Sequence, residues 1–293
     1  MSGDMNESDS ATSKLTIGQC ATLACLLEAT APKVGNVHRG ADFHDLAFTD
    51  FAIAGVAIAP AMDRAAEVGV GRTVLTAIGA TRGLVSTNVN LGIALLFAPL
   101  AAVPRGHELS AGVKQVLQAL TPEDCRLAYE AIRLARPGGL GEVSDMDVSD
   151  SPPESLMAAM QVAAERDLIA RQYATDFQIV LHDALPRLIN GRQRGWSLTT
   201  TILRTHLELI ATHGDSLIER KSGKETSQRV KSMAQMVLDA GEPDDENFHA
   251  AMSDFDFWLR SDGNRRNPGA TADLIAAALF AGLRDGLIVP PLG

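Results

Sequence analysis

The sequence predicts an all-α fold, a single large helical domain over residues 14–293, and three observations carry that prediction. Apolar residues make up 46% of the chain while aromatics make up only 4%. The apolar positions are Ala, Leu and Ile in long runs, not the Val, Thr and Tyr alternation that strands prefer. Start and stop residues also fall where such runs begin and end. Thr121 stands before Pro122, a first helical position at which a missing N–H costs nothing, and Gly138 and Gly139 follow the end of that run. At 293 residues the chain exceeds the usual ~100 to 200 per domain but is compatible with one large core.

The elements follow in order. A helix is expected over 15–31, ending at the Pro32 turn, and a second over 49–66, for which Asp45 is a candidate cap. The turn Gly69-Val70-Gly71 precedes a helix over 72–86 and can aim that helix's N-terminus at an anion, although it is neither a Walker loop nor a full GxGxxG. Residues 90–100 begin the most apolar stretch of the chain. That stretch, 91–103, is shorter than the ~20 residues of a membrane span and contains Pro99, so it reads as a buried helix. Helices are expected at 110–120 and 122–135, and after the loop 137–153 a long one at 153–187. Within it Asp167 and Arg171 stand at i, i+4, as in a surface ion pair. The remaining helices are expected at 197–212, 216–221, 226–240, 246–260 and 270–284.

Composition excludes several classes. The formal net charge is −10, from 26 basic and 36 acidic residues, which argues against a nucleic-acid binder with a broad basic face. Thirteen of the acids lie in three segments devoid of Lys and Arg (4–9, 142–154 and 239–246), leaving 23 acids against 26 bases elsewhere, so a local phosphate pocket remains open. Cys20, Cys25 and Cys125 show no CxxC or CxxH spacing and read as reduced core thiols. Residues 1–13 carry no base and no apolar run, lack the features of a signal peptide and are expected to form a disordered tail. With no membrane span in view, a cytoplasmic location is expected.

Candidate chemistry concentrates at polar junctions between helices. Glu28 precedes the turn Pro32-Lys33-Val34-Gly35-Asn36, where Lys33 and backbone N–H groups can meet a phosphate or simply form a solvated loop. Asp42, His44 and Asp45 can ligate Mg²⁺, orient a hydroxyl or cap a helix. Thr87-Asn88-Val89-Asn90-Leu91-Gly92 sets polar side chains against the most apolar helix, where they either join helix ends or face a ligand. Asp215 can cap a helix whose end carries Arg220 and Lys221. Asp273 carries the most pointed message. It follows Pro268-Gly269 and lies one turn into a nearly continuous apolar run, where a carboxylate without a partner is costly. The histidines lack HExxH spacing and no GxSxG occurs, so triad hydrolysis is not expected.

Taken together these junctions resemble the triphosphoribosyl-dephospho-CoA synthase family, in order from about residue 15 to residue 286. The family's Glu followed by Pro-Lys-Pro-Gly is met by Glu28 and Pro32-Lys33-Val34-Gly35, and its next acidic site by Asp45. Thr87-Asn88 with Gly92, Asp215 with Arg220, and Pro268-Gly269-Ala270-Thr271-Ala272-Asp273-Leu274 match the remaining motifs. Two departures are that Val34 replaces the second proline and Leu91 stands where the citrate-lyase branch has a lysine.

The resemblance implies a transferase that joins ATP and 3'-dephospho-CoA, expels adenine and leaves the triphosphate on the product. On the demands of that chemistry Glu28, Asp45 and Asp273 are expected as base or Mg²⁺ ligands. Lys33, Arg220 and Lys221 are expected at phosphates, with Asp215, Gly35, Gly92 and Gly269 in the nucleotide-binding turns. Asn88 and Asn90 would orient ribose or base. The expected partners are small nucleotides, with no nucleic acid and no membrane, and a homodimer is one expected assembly. Two other readings stay open: a related phosphoribosyl-type transferase with another acceptor, and a nucleotide-binding regulator without turnover.

Overall fold

The computed structural model describes residues 15–136, 153–290 and 292, so the expected tail at 1–13 and most of the loop 137–153 lie outside the described residues. What it describes is helical, with two isolated β-bridges (His38 with Ala41, Phe43 with Leu46) and no strand among the described residues. The helices are α1 (Ile17–Thr30), α2 (Phe48–Ala57), α3 (Ala59–Asp63), α4 (Ala65–Val68), α5 (Val70–Arg82), α6 (Leu91–Ala102), α7 (Leu109–Gln118) and α8 (Pro122–Ala135). They continue as α9 (Leu156–Ala163), α10 (Leu168–Ala174), α11 (Leu185–Gln193), α12 (Leu198–His213), α13 (Ser216–Ser222), α14 (Lys224–Asp239), α15 (Glu246–Arg260) and α16 (Gly269–Arg284). Cys20, Cys25 and Cys125 are buried free thiols.

Two expected helices are broken. The run 49–66 divides into α2, α3 and α4, because Pro60 has no N–H to continue the ladder and Gly69, at φ +83°, closes α4 and opens α5. The run 153–187 divides at Asp167, whose Oδ1 accepts from the N–H groups of Ile169 and Ala170 and so starts α10 afresh. It divides again at Asp176 and Phe177, both left-handed (φ 51° and 63°), after which a π-helical turn, Val180–Ala184, leads into α11. Arg171 does not meet Asp167 as its spacing suggested: its guanidinium donates to the carbonyls of Ala164 and Glu165.

α6 and α16 are apolar on nearly every side, and such helices have no face to offer water. They cross at the centre, with Phe97 and Phe280 stacked at 4.6 Å between ring centroids. α1, α10, α11, α12 and α13 pack on α16. Pro99 sits inside α6 and cannot donate to the carbonyl of Leu95. The hydroxyl of the fully buried Tyr173 on α10 donates to that oxygen at 2.7 Å instead, so the proline's missing bond is replaced across the core. A second apolar cluster joins α12, α14 and α15 through Leu207, Ile210, Val230 and Phe255. No helix among the described residues is long and apolar enough to cross a membrane.

The glycine turn ahead of α5 does receive an anion, and it belongs to the chain. The Gly71 N–H donates to Asp124 Oδ1 at 2.8 Å, and a Cβ on Gly71 would stand 2.5 Å from the Asp124 backbone. This closes the α5–α8 contact and leaves that helix end without room for a phosphate.

Candidate active site

A cavity of about 510 Å³ opens where α1, α6, α9, α10, α13 and α16 converge, a size within the range of ligand sites. Its polar end is built from Glu28, Asn36, Asn88, Asn90 and Asp273, with Arg166, Asp167, Arg220 and Lys221 beside them.

Glu28 lies in the last turn of α1, 3% exposed, and the chain after it doubles back so that Lys33, fully buried, pairs with its carboxylate at 2.9 Å. Lys33 Nζ also donates to the carbonyls of Glu28 and Ala31. Burial pushes the Glu28 carboxyl above its ordinary range while Lys33 pulls it back. Lys33 is thus a partner to Glu28 and does not line the cavity.

Gly35 is placed away from the cavity too. At φ +66° its N–H donates to Asp256 Oδ1 at 2.7 Å, and a Cβ there would meet Leu259 at 2.7 Å, so only glycine fits. Arg260 donates to the Asn36 carbonyl and His206 Nε2 lies 3.3 Å from the Val34 carbonyl, pinning this turn to α15 and α12.

His206 itself is fully buried, with no partner for Nδ1, and desolvation first, then Lys33, brings its pKa down to about 3. The unfolded chain therefore binds a proton between about pH 6.5 and that value when the folded chain does not. His206 stability is complete above about pH 6.5 and drains away as pH falls, by up to about 1.4 kcal/mol per unit. Denaturant melts from pH 7 to pH 4.5 should show a shallower loss for His206→Gln than for the unsubstituted protein, and identical slopes would remove His206 as the cause.

The junction between α5 and α6 does both of the things its sequence suggested. Asn90 donates to Thr81 Oγ1 at 2.9 Å and Asn88 accepts from the Leu91 N–H at 3.2 Å, so both join helix ends, yet both also line the cavity.

Gly92 makes the next contact. A Cβ at that position would lie 2.1 Å from Asp273 Oδ2, so the missing side chain is the space in which the Asp273 carboxylate rests against α6. Asp273 is part-buried on the cavity wall. Loss of solvent, then Glu28, Asp215 and Asp167, hold its carboxyl well above the ordinary value, with Arg220 acting the other way.

Asp215 stands behind this wall. Its Oδ1 accepts from the N–H groups of Leu217 and Ile218, and its Oδ2 from the N–H and hydroxyl of Thr271 at 2.7 and 2.8 Å. It is a buried strut that docks α13 on the start of α16, beside Gly269, where a Cβ would meet Leu217 at 2.8 Å. The docking carries Arg220 and Lys221 to the cavity. Arg220 pairs with Asp167 at 3.2 Å, and Lys221 Nζ reaches the Asn264 carbonyl at 3.5 Å with its pKa lowered by desolvation and by Arg220.

Asp45 accepts from Asn264 at 2.7 Å, close enough to Lys221 to act on its charge, and the turn into α2 is capped by Asp42 and Asp50. Among the described residues no group of three His, Cys, Asp or Glu side chains is arranged to hold a metal. Sequence reasoning placed Asp167 in a surface ion pair and did not single out Arg166, Asn36 or Asn267; all four line the cavity. An Asp able to cap a helix in mid-run was the visible sign of the break that brings Arg166 and Asp167 to it.

The described residues thus form an all-helical protein in which a cleft joins carboxylates, amides and three cations to an apolar wall. The family model described as ATP:dephospho-CoA triphosphoribosyl transferase matches residues 14–289, and the chain belongs to that family. Among curated relatives it is 30% identical over 191 residues to a protein of Pseudomonas syringae pv. tomato, covering 64% of this chain and 61% of that one. A protein of Azotobacter vinelandii is 27% identical over 190 residues, covering 64% and 63%. Both bear the name probable 2-(5''-triphosphoribosyl)-3'-dephosphocoenzyme-A synthase. The chain thus spans about three fifths of the length of the curated relatives it matches. A crystal structure from Archaeoglobus fulgidus, described as that of a "putative triphosphoribosyl-dephospho-coA synthase", shares the fold with a TM-score of 0.61 at 21% identity, over 80% of this chain and 98% of the other.

Proposed function

We propose that the protein transfers the triphosphoribosyl group of ATP to the 2'-hydroxyl of 3'-dephospho-CoA. The acceptor oxygen forms a bond to the ribose C1' of ATP, the bond from C1' to adenine N9 breaks, and the hydroxyl proton leaves as adenine takes one up. The observation that carries this reading is the placement of Asp273. It is a part-buried carboxylate beside Glu28, resting on Gly92 in a cavity that the cations Arg166, Arg220 and Lys221 also line.

A carboxyl held above its ordinary pKa is suited to accept and return a proton near neutrality, so Asp273 is the candidate base for the 2'-hydroxyl. The Glu28 carboxylate, held by Lys33, supplies fixed negative charge for the positive character that C1' develops as adenine departs. Arg166, Arg220 and Lys221 are the cations available to three phosphates, and the lowered pKa of Lys221 would be restored by them. Asn88 and Asn90 offer amides to ribose or base.

The donor set fits Mg²⁺ in its usual phosphate-bridging mode, one or two carboxylates with substrate oxygens and water completing the shell. Glu28 would hold the ion together with triphosphate oxygens, and the ion would neutralise triphosphate charge while Asp273 serves as the base. The test is chromatographic: purified protein with ATP, dephospho-CoA and Mg²⁺ should release adenine in step with loss of dephospho-CoA. Adenine release that ignores dephospho-CoA, or none at all with both substrates bound, would refute the reaction.

A further inference from the structure

The cavity has a second half that the chemistry above does not use. Leu95 of α6, Ile132 of α8, Leu156, Ala159 and Met160 of α9 and Ile169 of α10 form one aliphatic wall, and α9 packs on both α8 and α10. Leu156 is 1% exposed, Met160 8% and Ala159 9%, so the wall is firm and fitted to its surroundings. The cavity's carboxylates and amides come from other segments, Glu28 of α1, Asp273 of α16 and the junctions at Asn36, Asn88 and Asn90, and Arg166 and Asp167 lie in the turn between α9 and α10.

Besides the two riboses, the uncharged parts of the two substrates are two adenine rings and one pantetheine arm. An adenine ring presents donors and acceptors along its edges, and a site that selects it must answer them. The amides that can do so, Asn36, Asn88, Asn90 and Asn267, are not part of this wall, and Asn88 and Asn90 flank Val89, which packs with Phe51 in an apolar cluster separate from it. A wall of Leu, Ile, Met and Ala answers methylene and methyl groups through burial, and the pantetheine arm carries the most of these, on either side of its two amides. We propose that this wall seats the pantetheine arm of dephospho-CoA, and that α9 sets which acceptor is used. The assignment rests on the proposed reaction for the identity of the acceptor.

The test compares dephospho-CoA with ADP, which keeps the adenosine diphosphate and lacks the arm. Calorimetry on the unsubstituted protein should give dephospho-CoA the tighter binding by about 10-fold or more, the scale on which an apolar pocket discriminates. Ala159→Trp fills the wall and should bring the two ligands to the same affinity, with ATP binding as before. Because Trp at a buried position can prevent folding, Met160→Ala gives a second reading: it hollows the wall and should weaken dephospho-CoA several-fold, on the order of one lost apolar contact, without touching ADP.

Equal affinity for dephospho-CoA and ADP in the unsubstituted protein would overturn the assignment. So would weakened ATP with unchanged dephospho-CoA in either folded variant, which would give the wall to the donor's base. If binding behaves as expected but no adenine is released, the arm site stands and the proposed reaction fails.

Discussion

Asp273→Asn should slow adenine release by about 100-fold or more, roughly 3 kcal/mol in the barrier, while the protein melts at the same temperature or higher. The structure separates the two effects. Asp273 lies in the second turn of α16 and does not cap it, since Pro268 holds the cap position and Thr271 is tied to Asp215. Replacing the carboxylate with an amide of the same shape therefore removes no cap, and the close approach to Gly92 is kept. The charge itself is unwelcome among Glu28, Asp215 and Asp167 and away from solvent. With its folded pKa raised, Asp273 contributes stability below the ordinary carboxylate range and costs stability as pH rises above it. An amide abolishes that cost at neutral pH. Rate and melting temperature measured on one preparation decide the matter. Normal turnover by a less stable protein would make Asp273 part of the framework.

Lys33→Met should destabilise the fold by about 3 to 5 kcal/mol, the size expected when one partner leaves a buried pair. Nothing else can take over: Lys33 is fully buried, it pairs with Glu28 at 2.9 Å, and it holds the carbonyls of Glu28 and Ala31. Methionine fills the volume of the stem but leaves the carboxylate of Glu28 and two carbonyls without their donor. The double variant Lys33→Met, Glu28→Gln should recover part of the loss, because the uncompensated charge is gone. Urea melts of the two single variants and the double read this coupling directly. A phosphate-binding lysine predicts the reverse pattern, near-normal stability with ATP binding weakened.

Asp273 and Lys33 differ in how far sequence could foresee them. For Asp273 the apolar run of α16 by itself made the carboxylate conspicuous, and the Pro-Gly before it marked the helix start. For Lys33 the sequence offered only a cation in a polar turn, a pattern that solvated loops share. Its inward path needed Asp256, Arg260 and His206 to hold the turn from the other end of the chain.

Local chemistry determined the rest of what could be read from one chain. The all-α fold, the ends of α8 and α15, the buried character of α6 and the free thiols follow from propensity, capping, cysteine spacing and apolar runs. Those signals act within about one helical turn. Tertiary structure decided which junction side chains meet. Asp167 is satisfied by Arg220, 53 positions away, where i, i+4 spacing pointed to Arg171. Asp124 takes the helix end that resembled an anion site, and Asp45 is drawn to Asn264. A buried polar group must find a partner somewhere, and that demand is legible in the sequence; which partner it finds depends on how helices far apart in the chain cross, and that information exists only in the packed core.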